Sequence, residues 1–388
     1  MTLGKLFLYF LKTGSTVFGG PLAIIHRIQE DLVHKKKWIT EKEFENIFGY
    51  SQLAPGTISY QVGTYIGYFS YGVWGAFICG FALIFPSFLL ILGFAIFYKS
   101  YGSLEIVQYI LYGLSPAIIA IILHSGIKLS RNLIKKDFFL LFLFLLSIVL
   151  TTVFKVNIIY QIFPAAFVSI LYYSLIEKNR AKLRSVSLIA VSGIVKLFAK
   201  LFGVISAVIV FADNKLLDLA LVFLKASSLT YGSGFVIVGV LHQDVVEKFQ
   251  WLSEKDFLAG ISFGNITPGP VVITSTFIGY MTSGFLGSVV STVCIFLPTF
   301  IIVIILAQIV TKHKENFYLK SFIKGANAAA LGAIIATAYN LSRGALIDKA
   351  TVIIFIVTLV VMFRFKINTL FIIGAAAACG VVVKMLGS

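Results

Sequence analysis

Charge is scarce in this sequence, and negative charge most of all. Of 388 residues, 12% are Asp, Glu, Lys or Arg, with 16 acids against 32 bases; soluble domains carry about 25%. With 59% hydrophobic residues and a mean hydropathy of +0.97, the chain reads as an integral membrane protein of many spans. No polar stretch reaches the ~50 residues of a separate soluble domain. Cysteine is nearly absent: Cys79, Cys294 and Cys379 stand singly in apolar runs. That excludes a disulfide framework and a thiolate metal cluster, and leaves them as small buried hydrophobes. After Lys5 the first apolar run is short and leads into Gly19-Gly20-Pro21, without the small-residue cleavage pattern of a signal peptide. The excess of bases gives a net charge of +16, which in a soluble protein would raise nucleic acid as a partner. Here the bases lie in short loops between apolar runs, the pattern of membrane topology, and no nucleic acid is expected.

Sliding the chain along itself gives one dominant register. Phe10-Leu11-Lys12 matches Phe223-Leu224-Lys225, Trp38-Ile39-Thr40-Glu41-Lys42 matches Trp251-Leu252-Ser253-Glu254-Lys255, and Pro55-Gly56 matches Pro268-Gly269, all at an offset of 213 positions. One position is then lost, so that Ile66-Gly67-Tyr68 matches Ile278-Gly279-Tyr280 and Pro86 matches Pro298 at 212; Phe154-Lys155-Val156-Asn157 finds Phe365-Lys366-Ile367-Asn368 at 211. Trp, Pro, Gly and charges all agree, so shared hydrophobicity does not explain the match. The chain divides into a first repeat at 1–177, a basic linker with a connecting span at 178–214, and a second repeat at 215–388. Halves of this kind are typical of secondary transporters, with the site at the repeat interface.

The few prolines mark where that site would be. Thr267-Pro268-Gly269-Pro270 and its earlier copy Ala54-Pro55-Gly56-Thr57 cannot continue a helix, because Pro lacks an N–H and clashes with the turn before it, and Gly is the least helical of the remaining residues. At membrane depth such a break is tolerated only where protein or a water-lined cavity satisfies the freed backbone groups. The helix restarting after each break offers N–H groups and a positive dipole end, which suits an anion. Gly19-Gly20 and Gly232-Ser233 are further small-residue breaks that allow close backbone approach or close helix packing. Lys12 and Lys225, each seven residues before a matched glycine, are either functional charges within a span or cations reaching for headgroups. Gln52 and Asn265, three residues before the matched prolines, either orient an oxyanion or bond neighbouring helices. Thr57 and Thr267 add hydroxyls. Glu41 and Glu254 read as openings of helices. No histidine among His26, His34, His124, His242 and His313 has a histidine at its matched position, so no metal or cofactor is implied. No paired carboxylates or Cys-His pair lies within the spans, so catalysis is not expected.

The apolar segments run near 3–25, 47–69, 71–98, 105–127, 138–154, 157–176, 186–211, 216–241, 260–281, 284–310, 322–341, 350–363 and 369–386. The fold class expected is an all-α polytopic membrane protein made of two inverted repeats with broken or re-entrant helices. The inversion is read from the bases. Lys128, Arg131, Lys135 and Lys136 outnumber Arg343 and Lys349 at the matched loop, whereas Lys99 stands alone against Lys312, Lys314, Lys320 and Lys324. The bias reverses between halves, as the positive-inside rule requires if one is upside down. This puts the N-terminus in the cytoplasm and the C-terminus outside the cell membrane, and leaves open whether 3–25 and 47–69 cross or re-enter.

The motifs Phe18-Gly19-Gly20-Pro21, Trp38-Ile39-Thr40, Gln52-x-x-Pro55-Gly56 and Ile66-Gly67-Tyr68, in this order and duplicated, resemble the chromate ion transporter family in its long-chain, two-domain form. The resemblance covers about 5–175 and 218–386. It implies two homologous domains of opposite orientation and efflux of chromate, driven by the proton motive force, and it places Lys12, Gly19, Gly20, Pro21, Trp38, Pro55, Gly56, Pro268, Gly269 and Pro270 in the family's motifs. Two positions depart from it: Thr57 stands where the first copy usually has a second proline, and Asn265 where an acid or glutamine is common. Sulfate is isosteric with chromate, so a carrier of sulfate or another oxyanion is the alternative, ahead of a membrane-embedded enzyme acting on a lipid phosphate. The partners expected are such an anion and the bilayer, with a homodimer left open.

Overall fold

Long runs of Leu, Ile, Phe, Val and Ala offer the backbone no water to bond with in hydrocarbon, and a helix satisfies those groups within one segment. The computed structural model describes residues 2–18, 20–52, 55–134, 137–176, 214–229, 234, 236–310, 317–365, 367 and 369–386. Every element among them is helical. In the first half these are α1 (Leu3–Thr16), α2 (Gly20–Gln29), a π-helical turn at Glu30–Lys35, α3 (Glu41–Ser51), α4 (Ile58–Tyr101), α5 (Glu105–Ile134), α6 (Phe138–Thr152) and α7 (Ile159–Ile176). The second half follows the same order with α8 (Asn214–Leu229), α9 (Val236–Leu241), a π-helical turn at His242–Lys248, α10 (Glu254–Ile266), a 3-10 turn at Val271–Ile273, α11 (Thr274–Val310), α12 (Phe317–Ala345), α13 (Lys349–Arg364) and α14 (Thr369–Leu386). The connecting span expected at 186–211 lies outside the described residues. Five of the helical stretches, 58–101, 105–131, 271–308, 320–345 and 369–386, are long and apolar enough to cross a membrane. By contrast α1, α2 and α3 have 14, 10 and 11 residues, short of the ~20 that a straight crossing needs.

The helix openings at Glu41 and Glu254 occur as expected, with the capping oxygens coming from the residues before them. Thr40 accepts from the Glu43 N–H while the Glu43 carboxylate accepts from the Thr40 N–H, closing a capping box, and Ser253 accepts from the Asp256 N–H. Cys79 and Cys294 are buried; Cys379, expected to be buried as well, is exposed on α14.

The 44 residues of α4 do not form a straight rod. Tyr71 and Gly72 leave helical geometry, Gly72 with φ +63, and Ser283 and Gly284 do the same in α11, Gly284 with φ +64. A side chain at Gly72 or Gly284 would be strained at that φ. Beyond each turn the chain doubles back: Gly75 lies against the Gly67 carbonyl and Gly287 against the Gly279 carbonyl. Thr276 and Thr292 pair their hydroxyls at 2.6 Å across the α11 hairpin. Residues eight apart on a straight helix are separated by about 12 Å, so these contacts define antiparallel hairpins.

The halves do not pack as two separate bodies. The α4 and α11 hairpins pack on one another, α5 packs on α13 and α14, and α12 packs on α6 and α7. The close points are glycines: Gly113 of α5 against the Ala376 carbonyl of α14, and at the matched place Gly325 of α12 against the Ala165 carbonyl of α7. Small residues let backbones approach in this way, and dispersion between them replaces the hydrophobic drive that lipid removes. Aromatic residues of the outer arm of α4, Trp74, Phe77 and Phe81, stay exposed, as a lipid-facing surface requires.

These contacts predict where bulk is refused. Gly75→Val or Gly287→Val pushes a side chain into backbone oxygen and should destabilise by about 1–3 kcal/mol or more, whereas Gly93→Ala, with nothing within 4 Å of a new Cβ, should not. Thermal unfolding of the purified variants in detergent is the measurement, and a Tm for Gly287→Val equal to that of Gly93→Ala would contradict the hairpin contact.

Candidate functional site

Both breaks form where the sequence places them. Pro55 and Gly56 lead to Thr57, the N-cap of α4, and Thr267 ends α10 before Pro268, Gly269 and Pro270 lead into the 3-10 turn. Gly56 has φ +120 and Gly269 φ +98, a backbone that L side chains rarely adopt. Each glycine is crowded by the other half: a Cβ at Gly56 would collide with the Thr299 side chain of α11, and a Cβ at Gly269 with the Ser87 side chain of α4. Ser87 and Thr299 are matched positions, each one residue after a proline inside its helix, Pro86 and Pro298. The buried Ser87 Oγ donates to the Pro268 carbonyl at 2.6 Å, and the Gly269 N–H donates to the carbonyl of Val17, just past α1, at 3.3 Å. Ser227 of α8 stands 3.4 Å from the Thr299 hydroxyl, and Gly234 lies against Thr57. The breaks are thus brought together on the contact between the two hairpins and braced crosswise.

Just beyond the breaks, Ser59 in the first turn of α4 and Ser275 in the first turn of α11 are fully buried, and their hydroxyls have no hydrogen-bond partner among the described residues. A buried hydroxyl without a partner is costly, of order 1–3 kcal/mol. Helix N-termini add N–H groups directed back towards the breaks. The region therefore offers donors to an acceptor-rich ligand.

The other residues singled out from sequence scatter. Gly19, Gly232 and Ser233 lie outside the described residues. Gly20 opens α2 at φ +79 with open space around it. Gln52 is exposed at the end of α3. The amide of Asn265 donates to the Ile261 carbonyl at 2.9 Å, and the Thr267 hydroxyl to the Gly264 carbonyl at 3.1 Å, both within α10. Pro55 is half-buried, while Thr57, Pro268 and Pro270 are buried. The two lysines occupy different surroundings. Lys225 binds both oxygens of the buried Asp244, at 2.7 and 3.0 Å. Lys12 is exposed, and among the described residues it has no carboxylate partner, because the matched acid, Asp31, is held by Arg27 at 2.7 Å. Val240 stands at the position that matches Arg27, which frees Asp244 for Lys225.

Sequence reasoning missed Ser87 and Thr299, although the hydroxyl after each matched proline was a usable signal. It also missed a polar triad in each half. Buried His242 stands 3.3 Å from Glu247 through Nδ1 and 3.1 Å from Glu254 through Nε2. The matched positions hold Gln29, His34 and Glu41, with Gln29 Nε2 donating to Glu41 at 2.7 Å and His34 3.8 Å from Glu41. The histidine has moved to another corner of the triad, so searching for His opposite His does not find it. Burial alone would lower the pKa of His242, but the two carboxylates outweigh it and raise it from 6.5 to about 9. An imidazolium donates from both ring nitrogens at once, which both contacts require. Its stabilising effect is therefore complete below about pH 6.5 and is lost as pH rises through about 9. His242→Gln, which copies Gln29, should lower Tm near neutral pH, and the difference from wild type should vanish by about pH 10; a pH-independent difference in thermal scans would refute the charged clamp.

A family model described as chromate transporter matches twice, at residues 4–170 and 217–381. The chain is 32% identical to the chromate transport protein of Cupriavidus metallidurans over 98% of this chain and 93% of that one. It is 33% identical to a probable chromate transport protein of Synechococcus elongatus over 98% and 95%, and 32% identical to the uncharacterized transporter MJ0718 of Methanocaldococcus jannaschii over 95% and 91%. No solved structure matches. A model that fits both halves and relatives that align nearly end to end lead to one conclusion: the chain belongs to the chromate transporter family.

Proposed function

We propose that the protein exports a tetrahedral oxyanion, chromate first of all, from the cytoplasm at the expense of the proton motive force. In this reading the anion binds between the two breaks, and the repeats stand in opposite orientations in the membrane. The observation that carries it is the crosswise bracing: Gly56 on Thr299 and Gly269 on Ser87 bring two helix starts together, with two partnerless buried hydroxyls, Ser59 and Ser275, in their first turns. A dianion leaving water is costly to bury without compensation. Two helix N-termini supply about half a charge each, so hydroxyl donors and a cation complete the neutralisation. Lys12 is available as that cation, and Lys225 becomes so when Asp244 releases it. The reversal of the basic loops between halves supports the opposed orientations, and the chromate transport proteins among the relatives support the substrate.

Vesicles with an imposed pH gradient, loaded with labelled chromate or sulfate, test this directly. Gradient-dependent chromate movement is expected, and preference for sulfate would make the protein a sulfate-type carrier instead. Pro268→Ala combined with Gly269→Ala favours a continuous helix and should reduce transport at least tenfold, with the protein still in the membrane. Wild-type transport in that variant would remove the break from the site.

The orientation has its own readout. Cysteines introduced at 132 and 318 should resist a membrane-impermeant label added from outside, and one at 346 should react. Labelling at 132 but not at 346 would overturn the opposed repeats.

A further inference from the structure

The first half carries a charged groove, and three of its five bases have no basic counterpart at the matched positions of the second half. Lys5, Lys12, Arg27, Lys35 and Lys36 line one cavity of about 580 Å³, and Asp31 is the single carboxylate on its wall. Asp31, its side chain only 11% exposed, fixes Arg27 at 2.7 Å and approaches Lys35 at 3.6 Å, and the half-exposed Glu30 approaches Lys35 at 3.5 Å. Arg27 makes its bond through Nε, which leaves the terminal nitrogens of the guanidinium for another acceptor. The Lys36 ammonium lies 5.0 Å from the centre of the Trp38 ring, and this tryptophan also lines the cavity.

The second half is an internal control. At the positions matching those five bases stand Asp218, Lys225, Val240, Lys248 and Phe249, with Asp244 in place of Asp31. Two bases then face two acids, where the first half sets five bases against two, Asp31 on the wall and Glu30 at 3.5 Å from Lys35, with Gln243 at the position matching Glu30. The backbone is alike in both, each with a π-helical turn followed two residues later by a residue at φ +51, Lys37 and Gln250. The scaffold therefore does not require the charge, and clustered like charges repel one another unless something between them is negative.

We propose that this groove is an outer anion-binding site for a tetrahedral oxyanion group carrying negative charge, either a free dianion or the phosphate of an anionic lipid headgroup. Its fork of Arg27 and its point charges Lys5, Lys12, Lys35 and Lys36 suit an acceptor with oxygens on every side. The groove is lined in part by Thr16, and the carbonyl of the next residue, Val17, accepts the N–H of Gly269. A free anion held here is one step from the breaks. That sequence of groove then break rests on the transport reading, whereas binding in the groove does not.

Trp38 reports on the groove once Trp74 and Trp251 are changed to Phe, since the chain holds three tryptophans. The full-length protein, in neutral detergent and in phosphatidylcholine nanodiscs, is titrated with sodium sulfate and with sodium chloride at matched ionic strength. Sulfate should give a saturable change in Trp38 fluorescence that chloride does not give. Lys5→Gln with Lys35→Gln should weaken it at least tenfold, and Lys248→Gln in the second half should leave it unchanged. Nanodiscs containing phosphatidylglycerol separate the sources: a reduced apparent sulfate affinity there assigns the groove to a lipid phosphate, and an unchanged one assigns it to the free anion. No saturable change, an equal response to chloride, or indifference to the double variant overturns the site. Absence of sulfate binding in a protein that still moves chromate in vesicles refutes the groove alone, and binding in a protein that moves no anion refutes the transport reading alone.

Discussion

The structure depends on one constraint: in hydrocarbon every backbone N–H and C=O needs a partner from the protein itself. Continuous helices meet it without help, so the parts that leave helical geometry must be placed where something else bonds them. That is what the Ser87 hydroxyl does for the Pro268 carbonyl and the Val17 carbonyl for the Gly269 N–H. Both partners of the second break come from the first half of the chain, so that break is sustained only in the assembled molecule. The glycines follow from the same constraint. Gly56 and Gly269 combine positive φ with a neighbouring side chain in the space of a Cβ, and no other residue meets both conditions.

Duplication supplies the backbone twice, and substitution then gives each copy a separate task. The hairpin turns at Tyr71-Gly72 and Ser283-Gly284 agree to within a few degrees, yet the charges around the matched lysines agree only in part: Asp31 and Lys35 have counterparts in Asp244 and Lys248, whereas Lys5, Arg27 and Lys36 meet Asp218, Val240 and Phe249. A single exchange, Arg27 against Val240, redirects the carboxylate. With arginine present, Asp31 is taken and Lys12 stands free of any described carboxylate; with valine, Asp244 takes Lys225. An ion pair as buried as Lys225–Asp244 offsets its desolvation only if both members stay. Removing Lys225 alone would thus strand a buried carboxylate and destabilise the fold. The triads diverge in the same manner, His242–Glu247–Glu254 holding a cation where Gln29–His34–Glu41 uses an amide.

The legible part of this fold was what backbone chemistry imposes locally. Prolines and glycines located both breaks, the gap between apolar segments at 69–71 and 281–284 coincides with the hairpin turns, and Glu41 and Glu254 announced α3 and α10, although the capping oxygens belong to Thr40 and Ser253. Side-chain surroundings were much less legible, because they depend on which helix lies opposite. Matching Lys12 to Lys225 was sound as an alignment and silent about Arg27, which lies fifteen residues away and decides the pairing. Gln52 and Asn265 share a register as well, but one is exposed and the other bonds its own helix. Ser87 carried no signal of its own until Pro268 was found beside it, 181 residues along the chain.

The exchange of α5 and α12 between halves is the feature least accessible to pattern and the one that most constrains motion. Gly113 on the Ala376 carbonyl and Gly325 on the Ala165 carbonyl are close backbone contacts between helices, and sliding them apart would forfeit dispersion along whole helices. The contacts at the breaks are of another kind, the Ser87 hydroxyl on the Pro268 carbonyl, the Gly269 N–H on the Val17 carbonyl and a pair of hydroxyls 3.4 Å apart. A net hydrogen bond contributes only about 1 kcal/mol, so rearranging these costs little beside unseating a helix. Under the transport reading, alternation between the two faces therefore falls to the α4 and α11 hairpins moving against a scaffold of α5, α12 and their partners. The same hairpins carry Ser87, Thr299 and both break-following helix starts, so any such movement remakes the anion site at the moment it changes the site's exposure.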